Sequence, residues 1–88
     1  MIVLIDKTFE KDVSKINNKA LRAGIKSLIL NLQQADLLTQ INNIKKLTGY
    51  KEFYRVRIGN YRIGIRYTDD NITLIRCLHR KDIYQVWP

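Results

Sequence analysis

Hydrophobic positions change their spacing near the middle of the chain. In the first half they recur at helical intervals, and after Gly49 apolar and polar residues alternate as in strands with one buried face. An apolar run at 2–5 comes first, and it is typical of a strand buried on both faces. The pattern predicts one strand, two helices and three more strands at about 52–58, 61–67 and 72–79. The helical positions are Phe9, Val13 and Ile16 in the first helix, and Leu21, Ile25, Leu28 and Leu32 in the second.

Polar residues and glycine predict where the helices begin and end. Thr8 is expected to cap the first helix, and Asn17-Asn18 to separate it from the second. Gly24 either weakens the second helix or lets it approach a neighbour closely. The segment 36–44 predicts a short third helix capped by Asp36, with a packed loop as the alternative. The order β-α-α-β-β-β predicts an α+β domain whose two-helix hairpin covers one face of a small, mainly antiparallel sheet.

The stretch YRVRIGNYRIGIRY, residues 54–67, places arginines on one side of a predicted hairpin. Gly59-Asn60 suits a two-residue type II′ turn, which sets Arg57 opposite Arg62. Facing like charges destabilise a sheet, and a guanidinium binds phosphate through two parallel contacts. The arrangement therefore favours a phosphate-binding surface over a merely solvated face. One face would carry Tyr54, Val56, Ile58, Tyr61, Ile63 and Ile65, and the other Arg55, Arg57, Arg62 and Arg66 around a gap at Gly64.

The last strand brings in the single histidine of the chain. If a two-residue turn within 69–71 precedes it, Cys77 and His79 share the face of Arg62, whereas a three-residue turn reverses that parity. His79 is the only side chain whose unperturbed pKa lies near neutrality, so beside arginines it becomes a candidate for acid–base chemistry. The same register leaves Arg76 on the core face, which is explained only if it reaches an edge of the sheet.

Composition limits the kind of protein and its partners. The 88 residues form a single domain, 1–88, and carry 16 Lys and Arg against 8 Asp and Glu, a net charge of +8. Such an excess favours nucleic acid or an acidic protein as partner. No apolar run is long enough to cross a membrane. One cysteine excludes an internal disulfide and suits the cytoplasm, and the scarcity of His and Cys predicts no metal site and no cofactor.

The runs KKLTGYKEFYRVRIGNYRIGIRY and LHRKDIYQVWP, within 45–88, resemble the RelE/ParE superfamily of toxins from bacterial type II toxin–antitoxin systems, nearer the RelE side. The resemblance implies a RelE-like fold and a ribosome-dependent endoribonuclease that cuts mRNA in the ribosomal A site and inhibits translation. It also implies a cognate antitoxin, with operator DNA bound only through the antitoxin complex. The family's functional positions fall on Arg55, Arg57, Arg62, Arg80 and Tyr84, and His79 matches those relatives that carry histidine there.

Metal-independent cleavage of RNA by its own 2′-hydroxyl requires a base, cations for the phosphorane and an acid for the departing oxygen. The arginines would supply the cations, His79 the proton transfer, and Tyr84 a stacking or orienting contact. Glu52 is an alternative base, although a surface role suits its position better. Further contacts to RNA or the ribosome are expected from Lys45, Lys46, Arg66 and Lys81.

Two other functions are the alternatives, and His79, Arg80 and Tyr84 argue against the first of them. A ParE-like toxin would inhibit DNA gyrase without catalysis, and a noncatalytic module would bind RNA or the ribosome through the arginine face alone.

Overall fold

The computed structural model describes residues 1–88, which form one five-stranded sheet and three α-helices. The strands are β1 (Ile2–Ile5), β2 (Ile44–Lys46), β3 (Phe53–Ile58), β4 (Tyr61–Thr68) and β5 (Asn71–His79). The helices are α1 (Lys7–Ser14), α2 (Lys19–Gln34) and α3 (Arg80–Val86), with a short 3-10 helix at Leu38–Gln40. The sheet order is β1-β5-β4-β3-β2, and only the β1–β5 pair is parallel. None of the helices has the length and apolar character that a bilayer crossing requires.

One hydrophobic core joins α1 and α2 to one face of the sheet. Each helix buries a single apolar stripe at the predicted spacing, and each strand buries alternate residues. The α+β class is therefore confirmed, as are the two helices and the three later strands. The buried positions are Phe9, Leu21, Ile25, Leu28 and Leu32 on the helices, Ile41 in the connection, and Val56, Ile63, Ile65, Ile72, Leu74 and Cys77 on the strands.

The predicted break at Asn17-Asn18 is confirmed, whereas the predicted cap at Thr8 is wrong. Asn18 caps α2, since its side chain accepts a hydrogen bond from the Leu21 amide at 3.0 Å. Asp6, not Thr8, caps α1: the Asp6 carboxylate accepts from the Thr8 amide at 3.0 Å, and this hydrogen bond lowers the pKa of Asp6. Gly24 does permit a close approach, because a Cβ there would lie 2.7 Å from Cγ2 of Ile58.

Four parts of the chain differ from the prediction: β1, the segment 36–44, β2 and α3. β1 is an edge strand with Ile2, Leu4 and Ile5 exposed, so it is not buried on both faces. The segment 36–44 forms neither a third α-helix nor a cap at Asp36. Instead the Gln40 side chain accepts hydrogen bonds from the Asp36 and Leu37 amides, at 2.8 and 3.1 Å, and the chain then enters β2. Neither β2 nor α3 was predicted.

The β3–β4 hairpin has the predicted register. Arg57 lies opposite Arg62, and Arg55 lies opposite Gly64. Of the two turn residues only Gly59 has a positive φ, of 56°, which agrees with a type II′ turn. The apolar and arginine-bearing faces of this hairpin are therefore confirmed.

The β4–β5 pair has the predicted register near its turn, but beyond Gly64 the side chains of β5 point to the face opposite to the predicted one. Asp69-Asp70 forms the two-residue turn, but a register shift next to Gly64 leaves Ile75 as an extra residue on β5. One extra residue moves every later side chain to the other face. Consequently Cys77 pairs with Ile63 and His79 pairs with Tyr61, both core-face positions. The predicted placement of Cys77 and His79 on the face of Arg62 is wrong.

Candidate active site

A cleft of about 320 Å³ lies on the sheet face opposite α1 and α2. Strands β2, β3 and β4 form its floor, and α3 forms one wall. Most of its side chains are cationic or polar, and we refer to it as the cationic cleft. Its lining residues are Asn43, Ile44, Lys45, Arg55, Arg57, Arg62 and Tyr84.

The cations of the cleft face one another directly across neighbouring strands. Lys45 of β2 pairs with Arg55 of β3, and Arg57 of β3 pairs with Arg62 of β4. Directly opposed like charges destabilise a sheet, and no carboxylate lines the cleft to offset them. An anionic ligand would remove this repulsion. The arrangement is therefore suited to binding phosphate.

The two ion pairs of the protein lie outside the cleft. Arg66 pairs with Glu52 at 3.3 Å, so Glu52 has the surface role that suited its position. Arg76 pairs with Asp12 of α1 at 2.8 Å. No group of three or more His, Cys, Asp or Glu residues is placed to share a metal ion.

Two guanidiniums are positioned by the backbone turns next to them. Nη2 of Arg57 donates to Oδ1 of Asn43 at 3.0 Å, and the Arg57 amide donates to the Asn43 carbonyl, also at 3.0 Å. Nη1 of Arg62 donates to the carbonyls of Gly59 and Tyr61, each at 3.0 Å. Each side chain uses one guanidinium nitrogen in this way. Its other N–H groups have no protein acceptor and are free to bind a phosphate oxygen.

The tyrosine of α3 completes the cleft. The guanidinium carbon of Arg55 lies 4.6 Å from the centroid of the Tyr84 ring, a cation–π contact. Tyr84 is nevertheless 62% exposed, so its ring edge and hydroxyl remain available to a ligand. Arg80 lies one helical turn before Tyr84 and is exposed, which extends the positive surface along α3.

The C-terminal segment is held against the sheet by Ile83 and Trp87. Ile83 is fully buried, and the Trp87 indole N–H donates to the Tyr54 carbonyl at 3.2 Å. The Trp87 ring meets Phe53 edge-on, with centroids 5.0 Å apart, and covers Gly64 so closely that a Cβ there would lie 2.6 Å from it. The expected gap at Gly64 is therefore filled by Trp87, which packs the C-terminal segment against the sheet.

His79 lies outside the cationic cleft and has a structural contact. It is the N-cap of α3, and its Nδ1 accepts from the Lys81 amide at 3.1 Å. Its ring meets the Tyr61 ring edge-on, with centroids 5.6 Å apart. The bulge on β5 thus separates His79 from the arginines that it was predicted to join.

The other predicted basic residues are dispersed. Lys45 lines the cleft, whereas Lys46, the next residue on β2, belongs to the opposite side of the strand. Arg66 is paired with Glu52, and Lys81 is exposed on α3. Asn43 and Ile44 also line the cleft, and they could not be identified from the sequence pattern because β2 was not predicted.

A buried carboxylate of α1 closes the open edge of β5. Asp12 accepts from Nε of Arg76 and from the Cys77 amide, at 2.8 and 3.0 Å. Arg76 therefore does reach an edge of the sheet. Burial, and then the nearby Asp12 charge, raises the pKa of the Cys77 thiol to about 12, so this cysteine is not a nucleophile at neutral pH.

Comparisons with known proteins agree with this fold. The family described as the ParE toxin of type II toxin–antitoxin systems matches residues 3–84. Toxin RelE3 of Methanocaldococcus jannaschii is 44% identical over 89 residues, which cover 100% of both chains. The chain belongs to the RelE/ParE superfamily of toxins.

This toxin also superimposes on solved members of the superfamily. The crystal structure of the RelB–RelE antitoxin–toxin complex from Methanococcus jannaschii matches with a TM-score of 0.83 and 44% identity, covering 97% of this chain and 99% of that one. The isolated Escherichia coli RelE toxin shares the fold at 18% identity, with a TM-score of 0.67 over 96% of this chain and 90% of that one. The predicted RelE-like fold is confirmed.

Proposed function

We propose that this toxin is a ribosome-dependent endoribonuclease that cuts mRNA in the ribosomal A site and so inhibits translation. The observation that carries the proposal is the cationic cleft, in which four facing cations adjoin an exposed tyrosine and no carboxylate is present. A surface of this kind matches the charge of an RNA phosphate. Its activity on ribosomes would place the toxin in the cytoplasm.

The cations of the cleft are suited to the transition state of phosphate cleavage. Attack of a 2′-hydroxyl on the adjacent phosphate forms a phosphorane whose equatorial oxygens carry more negative charge than the ground state. Arg57, held by the Asn43 side chain, and Arg62, held by the carbonyls of Gly59 and Tyr61, would bind these oxygens with the guanidinium nitrogens that lack protein acceptors. This chemistry needs no metal ion, because the guanidiniums supply the positive charge.

The remaining residues would position the nucleotide and the ribosome. The Tyr84 ring contacts the Arg55 guanidinium and would stack on an unpaired base of the mRNA. Arg80, Lys81 and Lys46 lie outside the cleft and would contact ribosomal RNA. No side chain of the cleft is a strong base held in place by a carboxylate, so the cleft alone does not fix the geometry of the reacting groups. The mRNA must therefore be oriented by another molecule. The ribosome would supply this orientation, and orientation of reactants is worth about 7–11 kcal/mol in favourable cases.

A gyrase inhibitor is the second candidate, because the matching family model is described as ParE. The relative that matches the whole chain at 44% identity is named RelE, and this similarity favours the ribosome-dependent nuclease.

We further propose that a cognate antitoxin neutralises the toxin, as the RelB–RelE complex of the Methanococcus jannaschii relative suggests. A chain of net charge +8 would otherwise bind nucleic acid indiscriminately. We expect an acidic or amphipathic antitoxin segment to cover the cationic cleft or to displace the Tyr84 region. Operator DNA would then be bound only through the antitoxin complex. A structure of the complex with both regions open and undisturbed would contradict this proposal.

The test is induction of the toxin without antitoxin, followed by mapping of mRNA 5′ ends and of gyrase-dependent DNA breaks. Cuts at A-site codons support the nuclease. DNA breaks without such cuts support the gyrase inhibitor, and inhibited translation with intact mRNA and DNA supports a noncatalytic ribosome-binding module. Arg62→Gln is expected to abolish the cuts. Arg66→Gln, an equivalent change on the same strand outside the cleft, is the matched control and should leave them unchanged.

A further inference from the structure

The cationic cleft contains only two kinds of side chain that can exchange a proton. Arginine keeps its proton at any pH at which a ribosome is active, so Arg55, Arg57 and Arg62 cannot remove one from a hydroxyl group. No carboxylate lines the cleft, and His79 lies on the other face of the sheet. Lys45 and Tyr84 remain.

Lys45 is placed next to the groups that would hold the phosphate. It lies opposite Arg55 in the β2–β3 ladder and lines the same cleft as Arg57 and Arg62. The charged or titratable groups that line the cleft with it are Arg55 and Arg57 from β3, Arg62 from β4 and Tyr84 from α3, and no carboxylate forms an ion pair with it. Its ammonium group is therefore not held by an acidic partner and can reach a ligand in the cleft.

We propose that Lys45 is the proton acceptor for the attacking 2′-hydroxyl, an inference that rests on the function proposed above. Lysine acts as a general base in its neutral form, which arginine cannot do. In this step the neutral amine of Lys45 takes the proton from the 2′-hydroxyl, whose oxygen forms a bond to phosphorus. The bond from phosphorus to the 5′-oxygen then breaks. The departing oxygen takes a proton from water, and the resulting hydroxide takes the proton from Lys45, which leaves a 2′,3′-cyclic phosphate and a 5′-hydroxyl.

Lys45→Arg tests the proposal because it keeps the charge and removes the base. Ribosomes programmed with a defined mRNA would be cut under single-turnover conditions between about pH 6 and 9, with ribosome binding and thermal melting measured alongside. The variant should fold and bind as the parent does, yet cut about 10²–10⁴-fold more slowly, and its rate should lose the parent's rise with pH. Lys26→Arg, an equivalent change at an exposed position of α2 on the opposite face of the sheet, is the control and should cut at the parental rate.

A modified mRNA distinguishes a base from an acid. Sulfur in place of the departing 5′-oxygen makes protonation of the leaving group unnecessary. If Lys45 is the base, the defect of Lys45→Arg persists on this substrate. If the defect disappears, Lys45 protonates the leaving group and the inference is overturned.

Two further outcomes would also overturn the inference. A parental rate and pH profile in Lys45→Arg would exclude Lys45 as the base while the nuclease function stands. Failure of the parent itself to cut mRNA on programmed ribosomes would overturn the inference together with the proposed function.

Discussion

Gly64→Ala should release the C-terminal segment from the sheet. A methyl group at this position would lie 2.6, 2.7 and 2.9 Å from three atoms of the Trp87 ring, well inside contact distance. Gly64 is buried in the middle of β4 between two neighbouring strands, so its backbone cannot yield. Trp87 lies at the end of α3, outside the sheet, and is the part that must move.

The energetic effect follows from the contacts that Trp87 would lose. Its hydrogen bond to the Tyr54 carbonyl contributes about 0.5–1.5 kcal/mol, and its edge contact with Phe53 a similar amount. Docking of the segment should therefore weaken by about 1–3 kcal/mol. Since 1 kcal/mol corresponds to about 4–8 °C in a domain of this size, the melting temperature should fall by about 4–24 °C.

Trp87 is the only tryptophan in the chain, so its fluorescence reports docking directly. In Gly64→Ala the emission should shift to longer wavelength, and cleavage should fall because Tyr84 loses its position beside Arg55. A double-mutant cycle supplies the control. In a Trp87→Ala background, Gly64→Ala should cause no further loss of stability, because the clash has been removed. Parental fluorescence and melting in the single variant would refute this account of Gly64.

Substitutions at three further positions test other parts of the structure. His79→Asn should keep α3 capped and leave cleavage at the parental rate, whereas His79→Ala should lower the free energy of unfolding by about 1 kcal/mol. If His79→Asn folds stably but does not cleave mRNA, His79 takes part in catalysis and its assignment as a structural cap is wrong. Asp12→Ala leaves Arg76 and the Cys77 amide without a partner and should lower the free energy of unfolding by about 3 kcal/mol in urea titration; a change near zero would contradict the pairing. The folded state keeps the Cys77 thiol protonated up to about pH 12, whereas the unfolded chain releases this proton near pH 9. The contribution of the buried thiol to the free energy of unfolding is therefore complete below about pH 9 and is lost as the pH rises towards 12. Urea titrations should therefore show stability falling more steeply in the parent than in Cys77→Ala over this range, and parallel curves would contradict the burial of the thiol.

The hairpin could be predicted from the sequence because its information is local. The alternation of 53–58 and 61–68 fixes which side chains share a face, and Gly59 fixes the turn and hence the register. The arginine side of the cationic cleft follows from these two facts. Likewise, the buried stripes of α1 and α2 follow from helical spacing alone.

The misplacement of His79 came from the bulge on β5, which depends on contacts between distant parts of the chain. Asp12, 65 positions before Cys77 in the sequence, accepts a hydrogen bond from the β5 backbone beside the bulge. Two local signs were nevertheless present. Leu74-Ile75 breaks the alternation of apolar and polar residues, and Arg76 had no plausible place in the predicted register.

Short elements were missed for a different reason. The three residues of β2 and the seven of α3 are too few to show a period. β2 forms because it pairs with β3, and α3 forms because it packs on β4 and β5. β1 was misjudged because an apolar run does not reveal whether a strand lies at the centre or the edge of a sheet. The contact between Trp87 and Gly64 could not be predicted either, because the two residues belong to separate elements and no local sequence pattern links them.

Cleavage of an mRNA that carries a single 2′-deoxynucleotide on the 5′ side of the cut tests the central claim most directly. Purified toxin and ribosomes programmed with either this mRNA or its all-ribose counterpart would be compared in single-turnover reactions. If the 2′-hydroxyl attacks the phosphate, the all-ribose mRNA is cut to a 2′,3′-cyclic phosphate and a 5′-hydroxyl, and the deoxy-substituted mRNA is not cut at that position. Equal cleavage of the two mRNAs would contradict attack by the 2′-hydroxyl in the cationic cleft.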